Sequence, residues 1–282
     1  MARNDLTIII ASFKSDKKII PCLKSIGSKI KVIIIENSQN KKFKSFVEKK
    51  YKNVKCIIPK ENLGYARANN LALKKITTKY ALVLNPDTKL KFNTIDNFLI
   101  TAKKCPDFSL IGPANNQDRI IINSNHSKKK KLIKVKNLKG FAIFFNMKKF
   151  KDKKFFDENF FLYFEEIDLC KRVTLKKGKI YLDTSIKILH TGASSVDTKF
   201  KNSIENNRNW HWMWSTFYYH KKYKNFLYAF AIVLPKIISS LLKTFFYLII
   251  FQQKKKNIYY CRLSGLINSI FGFKSWYRPT LD

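Results

Sequence analysis

The 282-residue sequence predicts an α/β fold in which a sheet of parallel strands is wrapped by helices. Short β-branched runs alternate with amphipathic stretches from residue 6 to about residue 112, which is the pattern of repeated strand–helix–strand units. The chain is long enough for one large α/β domain and an appendage. A hydrophobic fraction of 45% excludes a disordered protein.

Five apolar runs are predicted as strands of the first half. They are Leu6–Ala11, Lys31–Ile35, Val54–Ile58, Tyr80–Leu84 and Ser109–Gly112. Stretches within 19–26, 43–47 and 95–102 place apolar residues at helical spacing between them. Because α/β sheets bind ligands beyond the carboxyl ends of their strands, the residues directly after each run are expected to carry the chemistry.

The second half begins after a polar stretch, Asn115–Lys136, that we interpret as a solvated connection. A strand at Phe141–Phe145 follows, and a helix after the acidic segment Phe155–Asp168 is expected to stop at Gly178. Two more strands are predicted near Ile180–Leu182 and Ile186–Leu189. The chain is therefore divided into 1–114, 115–222 and 223–282: two halves of one catalytic domain and a helical C-terminal region.

The amino-acid composition limits the kinds of partner that the chain is expected to bind. Lys and Arg number 56 against 19 Asp and Glu, so the net charge of +37 attracts nucleic acid, lipid headgroups and nucleotide diphosphates alike. Most of the cations are Lys, which lacks the planar fork of Arg, and this weakens the nucleic-acid alternative. Biased genomic base composition explains the lysines equally well. Five scattered cysteines without a C-x-x-C pair favour a reducing compartment over disulfides or a zinc site.

The last eighty or so residues change character. Aromatic residues from Trp210 to Tyr219 precede a long apolar stretch, Phe226–Phe251, that Pro235, Lys236 and Lys243 interrupt. A membrane span needs about 20 apolar residues, and two charges and a helix-breaking proline near the middle argue against one. We predict helices lying in the membrane interface. The alternatives are packing on the catalytic domain or a homodimer contact.

The segment Asn85-Pro86-Asp87 follows an apolar strand directly. An aspartate at the carboxyl end of a buried strand can present its carboxylate to a divalent cation, and a hard cation bridges a diphosphate well. Asn-Pro-Asp is also an ordinary turn sequence, so this segment alone does not decide. His190 ends another apolar strand and could supply a neutral nitrogen to the same metal, although a single histidine is more often structural.

Two further segments follow strands or open helices. Glu36-Asn37-Ser38 places an acid and an amide where α/β proteins often bind a base or ribose, with a bare acidic turn as the alternative. The stretch from Asn62 to Asn70 contains Gly64, which permits a tight turn, and opens a helix whose N-terminus suits phosphate. Arg67 is a candidate charge partner there, and a simple helix cap is the alternative.

Glu165, Glu166 and Asp168 form an acidic block within an aromatic run of a chain otherwise poor in acids. Apolar neighbours raise the proton affinity of a carboxylate, which is what a general base acting on a hydroxyl needs. The alternative is that acids at a helix N-terminus simply suit the helix dipole.

In order along the chain, these residues resemble glycosyltransferase family 2, in its bacterial rhamnosyltransferase-like branch. The match spans roughly residues 5 to 220. Its parts are an Ile-rich first strand, Glu36-Asn37-Ser38, Asn62-Leu63-Gly64 to Asn70, Asn85-Pro86-Asp87 as a variant of the Asp-x-Asp metal motif, Gly140 before a strand, the block from Asp157-Glu158 to Leu169, and His190 with Gly192 and Ser194. Each of these motifs is weak evidence by itself, but all of them together in this order are highly specific for the family.

The resemblance implies a GT-A fold, with a Rossmann-like mixed sheet and helices on both faces. It implies that Asp87 and His190 hold Mg²⁺ or Mn²⁺ against the donor diphosphate. Glu166 is then the base, with Glu165 and Asp168 beside it in the catalytic set. The implied donor-binding residues are Ser12, Glu36, Asn37, Asn62, Gly64, Arg67, Asn70, Asn85, Asp87 and Gly140.

The implied activity is inverting transfer of a sugar, with rhamnose or another deoxysugar expected first. The donor would be dTDP- or UDP-linked, and the acceptor a hydroxyl of a surface glycan or of a lipid-linked glycan. The expected location is the cytoplasm, peripheral at the inner face of the cell membrane. Glu36 and Glu166 stand where the family usually has Asp, and a displaced carboxylate is costly in rate.

Two other functions compete with this one. A basic nucleic-acid-binding protein explains the charge and the stacking aromatics but not the acidic block, and we expect no nucleic-acid partner. A transferase-like scaffold that lost activity through the two Glu residues is the second alternative, and a donor hydrolysis assay separates it from an active enzyme.

Overall fold

The fold is described from a computed structural model that covers residues 3–114, 131–190 and 200–280. It forms two compact units. The sheet unit comprises Met1–Leu63, Arg67–Phe156 and Glu166–Val196, and the helical unit comprises Gly64–Ala66, Asp157–Glu165 and Asp197–Asp282. The predicted boundary near residue 222 stays a prediction, although the helix that ends there belongs to the helical unit with the C-terminal helices. Gly192 and Ser194 lie outside the described residues.

The sheet unit is built on a mixed sheet of eight strands with the order β3-β2-β1-β4-β8-β6-β9-β7. Neighbouring strands are parallel except around β8 and β7, which run antiparallel to the strands beside them. A second sheet pairs β5 and β10 antiparallel. The strands are β1 Leu6–Ser12, β2 Lys31–Glu36, β3 Val54–Ile57, β4 Tyr80–Leu84, β5 Thr88–Leu90, β6 Phe108–Pro113, β7 Leu132–Lys134, β8 Ala142–Asn146, β9 Lys179–Asp183 and β10 Ile188–His190.

Helices connect these strands and continue into the helical unit. Along the chain they are α1 Asp16–Ile26, α2 Lys41–Lys50, α3 Gly64–Leu73, α4 Thr94–Lys104, α5 Glu165–Leu175, α6 Lys201–Tyr223, α7 Phe226–Ile249 and α8 Gln253–Ile270. Most of the apolar residues predicted at helical spacing face inward, as the buried Ile19, Phe43 and Phe98 show, but Phe46 is exposed. The helices therefore form where an apolar stripe can pack on the sheet.

The core of the sheet unit lies around its central strands. Every residue of β4 and β8 is buried, which explains why both strands read as continuous apolar runs. Phe144 stacks on Tyr80, Phe98 and Phe108, with ring centroids 5.1, 4.9 and 5.8 Å away. This packing fixes β4 between β1 and β8, so the carboxyl end of β4 lies beside the start of β8.

The predicted strands of the first half are confirmed to within one or two residues. The prediction of a solvated connection over Asn115–Lys136 is wrong at the C-terminal end of that range, because Leu132–Lys134 forms β7 and pairs with β9. Residues 115–130 lie outside the described residues. The strand predicted at Ile186–Leu189 begins two residues later, at Ile188. Its partner β5 was not predicted.

Two predicted breaks in helices need correction. Gly178 was expected to end α5, but the residue in the left-handed region is Lys177, with φ of 58°. Gly178 is needed for space, because a Cβ there would lie 2.7 Å from Ser109 Oγ and from Val173 Cγ1. Pro235 was treated as a helix breaker, yet α7 continues through it.

The helical unit is held by aromatic and small residues of α6 and α8. Trp210 is fully buried, and Gly265 lies so close that a Cβ there would be 2.3 Å from the Trp210 carbonyl oxygen. A narrow strip of α7, including Ala229 and Val233, packs against α6 and α8. Among the described residues one helix, Phe226–Ile249, is long and apolar enough to cross a membrane, with mean hydropathy 1.7 and 11% of its apolar window buried.

Candidate active site

The turn after β4 places Asp87 at the carboxyl edge of the sheet. Thr88 closes this turn, since its N–H and its Oγ1 donate to the Asn85 carbonyl over 3.2 and 2.7 Å. The Asn85 N–H donates to the Phe141 carbonyl over 2.9 Å, which ties the turn to the residue before β8. The Asp87 side chain is only 2% exposed, so its carboxylate points into the protein.

His190 reaches Asp87 through the small sheet. β10 pairs with β5 so that His190 lies opposite Thr88, the neighbour of Asp87. His190 Nε2 lies 3.4 Å from Asp87 Oδ1. The imidazole also stacks on the Phe141 ring, with centroids 4.7 Å apart and planes 9° from parallel. The predicted pair of metal ligands is therefore brought together from distant parts of the chain.

This pair has the chemistry of a divalent-cation site. A carboxylate oxygen and an imidazole nitrogen are donors that Mn²⁺ accepts, and a separation of 3.4 Å is longer than a normal hydrogen bond. Within the described ranges no group of three or more His, Cys, Asp or Glu side chains could hold a metal. The part of the chain that the structure describes therefore offers two donors here, Asp87 and His190.

Glu166 lies beside Gly140, the residue before Phe141. Gly140 packs against it, and a Cβ added to Gly140 would lie 3.6 Å from Cβ, Cγ and Cδ of Glu166. Burial raises the pKa of the Glu166 carboxyl, while the backbone N–H groups of Glu166 and Ile167 and the charge of Lys139 oppose that rise. Consecutive residues, Gly140 and Phe141, thus contact the acidic block and the metal pair.

The other two acids of the block have different surroundings. Asp168 is fully buried and accepts a 2.7 Å hydrogen bond from Arg172 Nε, one turn along α5. Arg172 also donates to the carbonyl of Phe155. Asp168 therefore anchors α5 to the chain that leads into the block, while Glu165 is buried at the first position of the helix.

The carboxylate of Glu36 is enclosed at the carboxyl end of β2. Ser12 Oγ donates to Oε2, and the N–H and Oγ of Ser38 donate to Oε1. Burial raises the pKa of this carboxyl, and the bonds from Ser12 and Ser38 oppose the rise. Asn37 beside it accepts from the Leu63 N–H over 3.1 Å, which joins this strand end to the segment before α3.

The predicted donor residues around α3 are placed individually. Arg67 pairs with Glu61 over 2.9 Å at the surface. Asn70 is buried, and its amide both accepts from and donates to the main chain of Phe156, over 3.0 and 2.9 Å. Asn62 is half-buried. Gly64 has φ of 71° and belongs to the helical unit. Donor contacts by these residues stay predictions.

Sequence reasoning missed two features of the site. Phe141 supports His190 through its ring and Asn85 through its carbonyl, and the only signal for it was its place between Gly140 and a strand. Tyr163 and Phe164, just before the acidic block, both adopt the left-handed region, with φ of 70° and 69°. Bulky residues rarely do so, and no sequence pattern indicates it.

The fold is of the GT-A class, as its likeness to solved structures shows. The mannosyltransferase PcManGT of Pyrobaculum calidifontis, solved with GDP-Man and Mn²⁺, superposes with a TM-score of 0.61 at 12% identity, over 96% of this chain and 88% of that one. Residues 1–349 of TarS from S. aureus superpose with a TM-score of 0.53 at 15% identity, over 99% and 93% of the two chains. These likenesses show the fold.

The sequence model described as glycosyl transferase family 2 matches residues 7–169, and the chain belongs to that family. A curated relative is the low-salt glycan biosynthesis hexosyltransferase Agl10 of Haloferax volcanii, which is 24% identical over 225 residues, covering 72% of each chain. The resemblance drawn from the sequence motifs is therefore confirmed at the level of the family, and the chain is a glycosyltransferase that uses a nucleotide-sugar donor.

Proposed function

We propose that the chain transfers a hexosyl or deoxyhexosyl group, with inversion, from a nucleoside-diphosphate sugar to a hydroxyl of a surface-glycan or lipid-linked acceptor. One observation carries this proposal: the side chain of Glu166 lies 3.6 Å from where a Cβ of Gly140 would stand, and the ring of the next residue, Phe141, stacks on His190, beside Asp87. A group for the leaving diphosphate and a group for the incoming hydroxyl are thus held by one short segment. The relative Agl10 is a hexosyltransferase, and rhamnose from a dTDP-linked donor is the narrower possibility we test first.

Glu166 acts as the general base. Its carboxylate takes the proton of the acceptor hydroxyl, the acceptor oxygen bonds to the anomeric carbon, and the bond from that carbon to the diphosphate oxygen breaks. The electron pair of the broken bond leaves with the nucleoside diphosphate. A single displacement of this kind inverts the configuration of the sugar. Burial suits Glu166 to the role, because it raises the pKa of the carboxyl and so strengthens the base.

Asp87 and His190 would hold Mg²⁺ or Mn²⁺. When bound, such a cation neutralises charge on the leaving diphosphate. The turn of Asn85 and Thr88 keeps the Asp87 carboxylate at the edge of the sheet, and Phe141 fixes the plane of the imidazole. The residues of the chain therefore orient both donors before any ligand arrives, which lowers the cost of assembling the site.

Donor recognition is proposed for the ends of β1 and β2 and the start of α3. Ser12 and Ser38 hold the Glu36 carboxylate, and we propose that its remaining acceptor capacity takes a base N–H. Asn37 couples this group to the α3 segment through Leu63. The acceptor is proposed to lie at the inner face of the cell membrane, with the apolar surface of α7 in the interface.

The test of this proposal is Asp87→Asn, which keeps the size of the side chain and removes its charge. For the natural protein, UDP, GDP or dTDP with Mn²⁺ should raise the melting temperature, because a ligand at about 100 times its Kd stabilises the folded state by about 2.7 kcal/mol. We expect Asp87→Asn to lose this rise and the transfer activity at every Mn²⁺ concentration, as measured by thermal shift and by nucleotide release.

The matched control is Asp152→Asn, since Asp152 forms an exposed pair with Lys176 in the same unit. It should behave like the natural protein in both assays. Full transfer by the natural protein in excess chelator would contradict the metal site. Nucleotide binding without any transfer or hydrolysis, over a panel of donors and acceptors, would favour an inactive scaffold instead.

A further inference from the structure

The turn that opens α3 is shaped by Phe161. Gly64 adopts φ of 71°, and a Cβ at this position would lie 2.4 Å from the Phe161 carbonyl oxygen and 2.6 Å from its ring. The Tyr65 N–H donates to the same carbonyl over 2.8 Å. The first residues of α3 are therefore seated on the main chain of Phe161, and a shift of Phe161 moves the turn with it.

The Phe161 ring is held by two side chains of the C-terminal half of the helical unit. His211 of α6 stacks on it, with ring centroids 4.5 Å apart and planes 26° from parallel. The guanidinium carbon of Arg278 lies 3.8 Å from the ring centroid, a close cation–π contact. Phe161 is 6% exposed, so these partners enclose it.

His211 links the same ring to the tail after α8. Its Nε2 lies 2.9 Å from the Tyr277 carbonyl oxygen, and because a carbonyl only accepts, Nε2 carries the proton. Burial lowers the pKa of His211 to about 3, so the ring is neutral at ordinary pH and the contact does not switch with pH. Arg278 Nη1 also donates to the Tyr277 carbonyl, over 2.9 Å.

The tail itself is well anchored. Trp214 Nε1 donates to the Phe273 carbonyl over 2.9 Å, and Ser275 Oγ donates to the Asn159 carbonyl over 2.8 Å. The Tyr277 ring stacks on Trp210, with centroids 5.7 Å apart. The tail therefore stays attached to α6 and to the segment before Phe161 even when the Arg278 guanidinium is removed.

From these contacts we infer that Arg278 and Tyr277 are positioning residues for donor binding: through Phe161 they hold the Gly64 turn in the shape that receives the nucleotide sugar. This inference rests on the proposed function, in which the start of α3 takes part in donor recognition. Arg278 does not touch the donor itself but acts on it indirectly, by holding Phe161 and the Gly64 turn. Its loss should therefore weaken donor binding while leaving Glu166 in place.

The experiment compares Arg278→Ala, Arg278→Lys and the natural full-length enzyme, with UDP-glucose, GDP-mannose and dTDP-rhamnose as donors in the presence of Mn²⁺. For whichever donor the natural enzyme uses, Arg278→Ala should raise the donor KM about 3- to 20-fold, the range that loss of a desolvated cation–π contact allows. The acceptor KM and the kcat at saturating donor should stay within about 2-fold. Arg278→Lys should recover part of the loss, because it keeps the charge and loses the planar face.

The matched control is Arg262→Ala. Arg262 also lies over an aromatic ring, Tyr259, at 5.2 Å, and bonds Asn209, but it does not contact Phe161. A donor KM that is unchanged in Arg278→Ala, or that rises equally in Arg262→Ala, would overturn the inference and leave the tail a purely structural element. If Arg278→Ala does not fold, the split between donor and acceptor KM in Arg278→Lys decides. Absence of donor binding by the natural enzyme would instead count against the proposed function.

Discussion

At the scale of single residues, Glu166 combines burial with a neighbouring cation. Burial raises the pKa of its carboxyl, and the charge of Lys139 opposes the rise. Gly140 lies beside it, and a Cβ at that position would stand at van der Waals distance, 3.6 Å, from Cδ of Glu166. The raised pKa makes the carboxylate a stronger base than an ordinary glutamate.

Glu166→Gln should lower kcat by about 10²- to 10⁴-fold, the usual contribution of a general base, while leaving the Kd for nucleotide and Mn²⁺ unchanged. The natural enzyme should also lose activity on the acid side at a higher pH than an ordinary glutamate would give. The sign follows from the raised pKa: the base works only when ionised, and a raised pKa means protonation begins earlier as the pH falls. The measurements are initial rates from pH 4.5 to 8 and calorimetric nucleotide binding.

Glu205→Gln is the control, since Glu205 is a half-exposed partner of Lys254 in the helical unit. It should leave the rate unchanged, and the activity should fall at the same acid pH as in the natural enzyme. A Glu166→Gln enzyme with normal turnover would remove Glu166 from the mechanism, and Glu165, the buried neighbour, would become the candidate base.

The sequence alone predicts which residues lie at this site, but it does not predict which other residues they contact. Asp87 was predictable because it follows a buried strand, and His190 because it ends a short apolar run, although that run, β10, is partly exposed. That Asp168 is held by Arg172, and Asn70 by the main chain of Phe156, depends on tertiary contacts. Carboxylates and amides that bind protein look the same in a sequence as those that bind a ligand.

At the scale of elements, the ribbon of β5 and β10 decides where His190 lies. Each strand has three residues, so three paired positions set the register of the imidazole against Asp87. α4 holds the ribbon, because Thr94 Oγ1 lies 2.7 Å from the carbonyl oxygens of both Lys91 and Lys187 and its single proton is shared between them. Asn97 adds a 3.0 Å bond to the Ser185 carbonyl.

Thr94→Val keeps the shape of the side chain and removes the hydroxyl. We expect a loss of about 0.5 to 1.5 kcal/mol in the free energy of unfolding, the net contribution of a typical hydrogen bond, since the bonds are only partly buried. We also expect a several-fold rise in the Mn²⁺ concentration for half-maximal activity, because the ribbon that carries His190 is loosened. Urea unfolding and Mn²⁺ titration of the rate are the measurements.

Thr174→Val is the matched control, since Thr174 Oγ1 bonds only the Cys170 carbonyl one turn back in α5 among the contacts described. It should cost less stability and leave the Mn²⁺ requirement unchanged. An equal Mn²⁺ requirement in Thr94→Val and the natural enzyme would show that the ribbon does not depend on α4.

The sequence predicted long elements well and short ones poorly, for a physical reason. β4 and β8 are buried on both faces, so their whole length reads as apolar. β5 and β7 have three residues each and include exposed lysines, so no period is visible over so short a stretch. The left-handed Tyr163 and Phe164 are imposed by their surroundings, where both rings pack on Trp212.

At the scale of the whole molecule, the charge and the apolar surface of the C-terminal region act together. Residues 200–280 carry thirteen Lys and Arg and one acid, Glu205. α7 exposes large apolar side chains, with Leu242 at 64% and Ile249 at 72%. Its lysines lie along neighbouring rings, as Lys243 does over Tyr259 at 5.0 Å. Long aliphatic stems allow such cations to reach lipid headgroups from an apolar face.

We expect the full-length protein to bind vesicles that contain about 30% anionic lipid and to be released by salt or by carbonate, as an interfacial helix is and a spanning helix is not. The double substitution Leu242→Glu and Phe245→Glu should abolish binding, because it places two charges on the exposed face of α7. Changing Lys254, Lys255 and Lys256 to Gln should weaken binding by up to about 100-fold, since each lysine near an anionic surface contributes about 1 kcal/mol.

The controls make the same kinds of change in the sheet unit, with one added carboxylate where α7 receives two. Phe92 is 93% exposed, so Phe92→Glu adds a charge without disturbing packing. The triple change of Lys49, Lys50 and Lys52 to Gln removes the same charge as the change in α8. If these controls weaken vesicle binding as much as the α7 and α8 variants do, the membrane attraction belongs to the net charge of +37 and not to the C-terminal helices. Retention after carbonate would make α7 a span, because only a helix that crosses the bilayer resists that extraction.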